Sequence, residues 1–224
     1  MTFFKNDRTK PDKDVQCYVS WGWLEDNVFS GNARVFDSEQ DLLMALDTSP
    51  KKFKNLDMII VRYEGPIGAP GMPEFLDPTS RITTLCRERK IVLGLMTDAR
   101  FSGGSVGLVI GHVGPEAALG GPIGLIQDGD QIIVDLNNNE VNCTELEDQA
   151  TVISRKKEWD RVVKENGGVH PSTGQADTRL LNRMRCTAVP AIYGAGMHPD
   201  RIVWVSDPRE VESSNFEPKN KYRC

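Results

Sequence analysis

Two segments rich in glycine and proline carry the side chains best suited to chemistry. The first reads Glu64-Gly-Pro-Ile-Gly-Ala-Pro-Gly-Met-Pro73 and is followed directly by Glu74. Glycine and proline at this density rule out a helix or a sheet ladder, so this segment is a loop. A carboxylate on such a frame can bind a hard cation such as Mg²⁺. Glu64 and Glu74 are therefore candidate metal ligands, and a surface turn with solvated glutamates is the alternative.

The second segment is Arg100-Phe-Ser-Gly-Gly104. Consecutive amides around two glycines can bind an anion, or lower the cost of forming an alkoxide at Ser102. A plain turn has the same composition. The sequence contains neither a Gly-x-Ser-x-Gly elbow nor a phosphate-binding P-loop. His112 could complete a serine–histidine pair in principle, but its spacing does not support one, and a structural role before Pro115 is the simpler interpretation.

Each of these loops follows a short apolar run that is typical of a buried strand, at residues 58–61 and 91–96. Binding and catalytic groups are commonly found where the chain leaves a rigid strand. The remaining pattern is also strand-rich up to about residue 143, and a charged helix follows. The predicted strands are 33–36, 108–112, a hairpin of 123–126 with 131–135 around an Asp-Gly turn, 141–143 and 202–205. The predicted helices are 38–46, where Ser38 and Asp41 resemble a capping box, 78–89, a short one starting at Pro115, 151–165, capped by Gly167 and Gly168, and 179–185.

Composition narrows the class of protein. The 224 residues carry a net charge of −5, which argues against a nucleic-acid or anionic-membrane partner. No apolar stretch approaches the roughly 20 residues of a membrane span, and the start of the chain turns charged too early for a signal peptide. The five cysteines form no Cys-x-x-Cys pair, and the three histidines lack zinc-ligand spacing. These features predict a soluble, cytoplasmic protein with reduced thiols.

Six segments in order carry a family likeness that is far more specific than composition. They are Gly31-Asn-Ala-Arg-Val-Phe-Asp37, Val61-Arg-Tyr-Glu-Gly-Pro-Ile-Gly-Ala-Pro-Gly-Met-Pro-Glu74, Thr97-Asp-Ala-Arg-Phe-Ser-Gly-Gly104, Gly111-His-Val-Gly-Pro-Glu-Ala-Ala118, Gly120-Gly-Pro122 and Asp128-Gly-Asp130. Together they resemble the C-terminal domain of the dihydroxy-acid dehydratase / phosphogluconate dehydratase family, which includes sugar-acid dehydratases. The likeness covers about residues 30–160.

The resemblance implies a mainly β fold with flanking helices, a swivelling β-barrel-like domain. It also implies a hydro-lyase that converts a 2,3-dihydroxy acid, such as a sugar acid, to a 2-keto-3-deoxy acid. By resemblance Ser102 is the base that takes the C2 proton, Glu74 is a Mg²⁺ ligand, and Ser102, Gly103 and Gly104 contact substrate. The family also uses an iron–sulfur cluster, 2Fe-2S or 4Fe-4S, whose cysteines lie in a larger N-terminal domain; no cysteine of this sequence matches them.

The expected organisation has three parts: residues 1–30 as a tail or incomplete lead-in, 31–150 as the barrel domain, and 151–224 as a helical and irregular extension. The chain would then be a fragment, a truncated product or a separate subunit, inactive without the missing N-terminal domain. In the complete enzyme a homo-oligomer is expected. A stand-alone barrel that serves as a binding or regulatory module, or a non-functional remnant, is the alternative function.

Overall fold

The computed structural model describes residues 2–5, 17–18, 25–103, 105–173 and 179–197. The elements within them are eight strands and four α-helices: β1 (Thr2–Lys5), β2 (Cys17–Tyr18), β3 (Val28–Phe36), β4 (Asp57–Val61), β5 (Leu93–Thr97), β6 (Leu108–Ile110), β7 (Gln131–Asp135), β8 (Glu140–Cys143), α1 (Glu39–Thr48), α2 (Leu76–Arg89), α3 (Gln149–Glu165) and α4 (Arg179–Thr187). No helix in these ranges is both long and apolar enough to cross a membrane.

The strands form one mixed sheet in the order β1-β8-β7-β3-β4-β5-β6-β2. Strands β3 to β6 are parallel to one another, whereas β7, β8, β1 and β2 pair antiparallel with their neighbours. The sheet curls into half of a barrel with helices beside it, which confirms the predicted mainly β fold with flanking helices. Helices α1 and α2 connect β3 to β4 and β4 to β5, as parallel neighbours require.

Both faces of the central strands are covered. Along β4, Met58 and Ile60 join the core cluster that includes Trp159 of α3, while Ile59 and Val61 join the cluster formed with α1 and α2. All five residues of β4 are buried, as are those of β5. Two-sided burial explains why these strands read as continuous apolar runs in the sequence rather than as alternating patterns.

Helix α1 begins at the predicted N-cap, Ser38. The Ser38 hydroxyl accepts the Asp41 backbone N–H at 3.1 Å and donates to the Asp41 carboxylate at 2.7 Å. Helix α3 ends at Glu165, shortly before Gly167 and Gly168 as predicted, and the φ angles of these glycines are 74° and 96°. These positive angles are freely accessible only to glycine, so the two residues stop the helix.

The predicted hairpin between residues 123–126 and β7 is wrong. Pro122–Leu125 form a 3₁₀ turn, and β7 pairs with β3 and β8 instead. A short apolar run does not by itself distinguish a strand from a buried helical turn. The turn at Asp128-Gly129 does form. The Asp130 side chain closes it by accepting the Gln127 N–H at 2.8 Å. Pro115 likewise does not begin a helix: the 3₁₀ turn there spans Ala117–Leu119.

Strands β1 and β2 lie within the first thirty residues, for which a tail or an incomplete lead-in was predicted. Strand β1 pairs with β8, and β2 pairs with β6. Strand β3 starts at Val28, ahead of the predicted domain start at residue 31. The division near residue 150 stays a prediction, and the predicted strand 202–205 lies outside the described residues.

Candidate active site

Three loops meet at one edge of the sheet, which we call the site edge. The first loop (residues 62–75) follows β4, the second (98–107, of which Gly104 is not described) follows β5, and the third (111–121) follows β6. Strands β4, β5 and β6 are parallel neighbours, so their carboxyl ends lie side by side. The topology therefore brings together the two loops that the sequence marks as chemical candidates.

Asp98 ties the three loops together. Its buried carboxylate accepts backbone N–H groups from Tyr63 at 3.1 Å, Glu64 at 3.0 Å and Ala117 at 2.9 Å. Burial raises the pKa of Asp98 to about 6, and the amide hydrogen bonds act in the opposite direction. Buried polar groups are costly unless they are bonded, and this carboxylate is bonded to all three loops. Asp98 therefore holds the site edge together.

Glu116 does the same for the tip of the first loop. Its carboxylate, on a residue only 2% exposed, accepts N–H groups from Ile67 and Gly68, each at 3.0 Å. Burial, together with the nearby charge of Asp98, raises the pKa of Glu116 to about 8. A Cβ on Gly65 would lie 2.6 Å from this carboxylate, so glycine is needed for the close approach.

The segments that carry Glu74 and Ser102 are joined directly. Glu74 forms a parallel β-bridge with Arg100, and the Phe75 N–H donates to the Arg100 carbonyl at 3.3 Å. The Arg100 Nε donates to the carbonyl of Met72 at 2.7 Å. Below the bridge the buried rings of Phe75 and Phe101 pack edge to face, with centroids 6.0 Å apart. Glu74 precedes one packed ring and Ser102 follows the other, so the two predicted site residues lie on adjacent segments.

The two candidate glutamates of the first loop have different surroundings. Glu64 Oε1 accepts the N–H of Glu39 at 3.0 Å in the first turn of α1, and burial raises the pKa of Glu64 to about 7. The Glu74 side chain is 45% exposed, and its nearest cationic contact is Arg100 Nη1 at 3.7 Å from Oε1. Of the two, Glu74 offers an accessible carboxylate at the joined segments, and this donor fits one position of a Mg²⁺ shell.

The predicted second-loop residues have simple local geometry. Ser102 is half-buried, and its carbonyl accepts the Ser105 N–H at 3.2 Å in a tight turn. Gly103 is exposed and faces open space, since a Cβ there would meet nothing within 4 Å. Gly104, also predicted to contact substrate, lies outside the described residues. His112 donates its backbone N–H to the Ala99 carbonyl at 2.8 Å, which ties the third loop to the second.

The three cysteines whose side chains the structure describes lie on separate elements and do not fit an iron–sulfur cluster. Cys86, Cys143 and Cys186 lie on α2, β8 and α4, and the one candidate metal group found among the described residues contains a single cysteine, Cys143, with Asp130 and Glu145. Burial raises the pKa of the Cys143 thiol to about 12, which disfavours the thiolate that metals bind. Asp130 is an ion-pair partner of Arg155. This group is best understood as a structural contact between α3 and the sheet.

A cleft of about 300 Å³ lies beside Arg100. One wall comes from the first loop and the other from α4 and the segment after it. Its lining residues are Pro66, Pro70, Gly71, Met72, Arg100, Met184, Ala188, Ala195, Gly196 and Met197. The lining is mostly apolar, with one guanidinium at the side of the Glu74 segment. A small organic acid with an apolar portion matches this combination.

Comparison with known proteins shows similarity along most of the chain. Residues 22–195 match the family model described as dihydroxy-acid/6-phosphogluconate dehydratase C-terminal. The mitochondrial dihydroxy-acid dehydratase of Saccharomyces cerevisiae is 45% identical over 135 residues, covering 60% of this chain and 22% of the relative. The mitochondrial dihydroxy-acid dehydratase of Aspergillus fumigatus is 41% identical over 167 residues (74% and 26%), and the Pyrococcus furiosus dihydroxy-acid dehydratase is 45% identical over 141 residues (63% and 24%).

The chain thus spans about a quarter of the length of the curated relatives it matches. The family match covers most of the chain, and it includes all three loops of the site edge as well as α3 and α4. The chain therefore belongs to the dihydroxy-acid/6-phosphogluconate dehydratase family, where it matches the C-terminal domain.

Proposed function

We propose that this chain forms the substrate-side part of a hydro-lyase that converts a 2,3-dihydroxy acid to a 2-keto-3-deoxy acid. The observation that carries the proposal is the direct joining of the Glu74 segment to the Arg100–Ser102 segment at the site edge. A dehydratase needs a base at C2 and a charge beside the substrate carboxylate. The site edge offers a serine and a carboxylate, with Arg100 between them.

In this proposal Ser102 acts as an alkoxide and accepts the C2 proton, which converts its side chain to the neutral hydroxyl. Glu74 holds Mg²⁺ through its exposed carboxylate. Bound Mg²⁺ would supply positive charge that lowers the pKa of the serine and favours the enolate form of the substrate. Gly103, which faces open space, leaves room for substrate to approach Ser102, and Gly104 is proposed to contact the same substrate.

The substrate we favour has a short alkyl portion. Two methionines and two alanines from α4 and the following segment line the cleft: Met184, Met197, Ala188 and Ala195. Such a wall buries methyl or ethyl groups well, whereas the hydroxyl groups of a sugar acid would lose hydrogen bonds to water there. The similar proteins from S. cerevisiae, A. fumigatus and P. furiosus are named dihydroxy-acid dehydratases. A sugar acid is the second substrate class to be tested.

We also propose that the 3-hydroxyl leaves with help from a part of the complete enzyme other than this chain, an N-terminal domain that carries an iron–sulfur cluster. Hydroxide is a poor leaving group, and the described cysteines do not fit such a cluster. The chain alone is then folded but catalytically silent. The complete enzyme would be a cytoplasmic homo-oligomer with neither a nucleic-acid nor a membrane partner, in keeping with the net charge of −5.

The test compares the purified 224-residue chain with the same chain fused to the N-terminal part of the P. furiosus relative. Keto-acid formation is measured with Mg²⁺ on a panel of alkyl dihydroxy acids and aldonic acids. We expect turnover only in the fusion, highest with a branched alkyl acid. Turnover by the isolated chain that disappears in Ser102→Ala would contradict the division of labour. A cluster-loaded, folded fusion without turnover on any acid would favour the alternative, a non-catalytic binding module or remnant.

A further inference from the structure

The tip of the first loop is held from two sides by the side chains of Glu116 and Arg185. On one side, Glu116 accepts the N–H groups of Ile67 and Gly68. On the other, the Arg185 guanidinium donates Nε–H to the Ile67 carbonyl at 3.0 Å and Nη2–H to the Gly68 carbonyl at 3.2 Å. The amides and carbonyls of these two consecutive residues are all bonded to side chains from other segments.

The two partners come from distant parts of the chain. Glu116 belongs to the third loop of the site edge, whereas Arg185 lies on α4, 118 residues after Ile67. Arg185 is half-buried, and this burial lowers the pKa of its guanidinium, although arginine stays charged at any ordinary pH. Burying a charge costs free energy unless hydrogen bonds compensate for the lost contacts with water. The bonds from Arg185 to the Ile67 and Gly68 carbonyls provide such compensation, and both end on the first loop.

A second contact ties the same region to the first loop. The His170 ring stacks on Tyr63 with centroids 4.4 Å apart, and its Nε2 lies 3.2 Å from the Tyr63 hydroxyl. Tyr63 has a φ angle of 67°, a conformation that is unfavourable for a bulky residue and needs support from its surroundings. His170 and Arg185 therefore contact the first loop where it leaves β4 and at its tip, respectively.

We propose that Arg185 is a positioning residue for the first loop. Arg185 holds Ile67 and Gly68 against Glu116. Two backbone hydrogen bonds, from the Ala69 N–H to the Gly65 carbonyl and from the Met72 N–H to the Ala69 carbonyl, then extend this order along the chain toward Glu74. The same helix places the neighbouring Met184 in the cleft wall. The ordering of the loop by Arg185 stands independently of the proposed function; only its consequence for a metal at Glu74 rests on that function.

The bidentate geometry makes arginine hard to replace. The two accepting carbonyls belong to adjacent residues, and the planar fork reaches both from one position. Lysine keeps the charge but offers one compact ammonium, so Arg185→Lys should restore part of the order. Arg183 on the same helix is exposed, and Arg183→Met removes an equal charge without touching the loop. It serves as the matched control.

The experiment is hydrogen–deuterium exchange on the purified 224-residue chain, read on peptides that cover residues 63–74. We expect Arg185→Met to speed exchange of the Ile67 and Gly68 amides about tenfold or more, since their carbonyls lose the two bonds that hold the loop tip in place against Glu116. Arg185→Lys should fall between Arg185→Met and wild type, and Arg183→Met should match wild type. Exchange in β4 and the urea midpoint are measured alongside, because a merely structural role would change all regions together.

Wild-type exchange at Ile67 and Gly68 in a folded Arg185→Met would overturn the proposal. Uniformly faster exchange in both Arg185→Met and Arg185→Lys would overturn it as well, since the effect would then be global. If Arg185→Met fails to fold, the outcome is decided on Arg185→Lys against Arg183→Met. Loop-specific loss of order together with an inactive wild-type fusion would refute the proposed function and leave the role of Arg185 intact.

Discussion

The acidic residues of the site edge form an inner and an outer group with opposite properties. Asp98 and Glu116, the inner group, are at most 2% exposed and bonded to backbone amides of neighbouring loops. Glu74, of the outer group, is 45% exposed and only loosely paired with Arg100. Residue type is the same in both groups. The bonding of the carboxylate oxygens decides which acids hold the loops and which can accept a ligand.

The difference explains how an irregular edge can carry a defined site. Loops that follow parallel strands lack a ladder of their own, so their amides must bond elsewhere. Here buried carboxylates accept those amides, at the cost of raised pKa values for Asp98 and Glu116. The backbone that carries the outer residue Glu74 is then ordered, while its side chain stays accessible to solvent or substrate. Preorganisation of this kind is what a reacting group requires.

The largest expected effect is on chemistry at Ser102, which lies on the segment joined to that of Glu74. Ser102→Ala in an active fusion should lower kcat by about 10²–10⁴, the usual worth of a general base. Circular dichroism and the urea midpoint should stay at wild type, since the hydroxyl carries no part of the inner bonding. Ser105→Ala is the control: its buried hydroxyl has no hydrogen-bond partner among the described residues, so its loss should leave kcat unchanged. Retention of more than about half the activity in Ser102→Ala excludes it as the base.

The next effect is on stability at the inner group. Asp98→Ala leaves three buried N–H groups without an acceptor, at about 1–3 kcal/mol each. We expect the free energy of unfolding to fall by at least about 3 kcal/mol, measured by urea denaturation of the isolated chain. Asp98→Asn retains a carbonyl acceptor and should lose clearly less. Equal losses in the two variants would show that the negative charge, rather than the hydrogen bonds, holds the loops.

The third expected effect is on Mg²⁺ binding at the outer carboxylate, Glu74. In an active fusion, Glu74→Gln should raise the Mg²⁺ concentration for half-maximal activity by about tenfold or more, because loss even of an outer-shell partner often costs 10–100-fold. Glu64→Gln is the matched comparison. Glu64 bonds the first turn of α1, so its loss should affect stability slightly and metal dependence little. The reverse result would transfer the ligand role from Glu74 to Glu64.

The sequence predicted the strands and loops of the site edge better than the groups that hold them. Local signals such as the 58–61 run and the Ser38 cap determine elements directly, and they were confirmed. The sequence did not reveal the roles of Asp98 or Arg185. Their partners lie 19 to 118 residues away, and no local pattern encodes such pairings. A position directly after β5 was the one available signal for Asp98.

The smallest effect is the pH dependence of the inner group. Burial raises the pKa of Glu116 from its usual 4.5 to about 8, so in this window the folded state keeps a proton that the unfolded state has released. Stability must then fall as pH rises from about 4.5 to 8. Asp98 acts with the same sign, but its pKa near 6 places its share mostly below pH 6.

Between pH 6 and 8 the remaining loss of stability comes from Glu116 and from Glu64, whose pKa is about 7. Glu116→Gln still offers a carbonyl oxygen to Ile67 and Gly68 but cannot ionise. We therefore expect this variant to lose less stability than wild type over that interval, by about 1 kcal/mol or more, since one pKa unit corresponds to about 1.4 kcal/mol. Urea denaturation of the isolated chain at pH 6, 7 and 8 measures the two slopes. Parallel slopes would mean that Glu116 is ionised throughout and that its bonds to the first loop offset its burial completely.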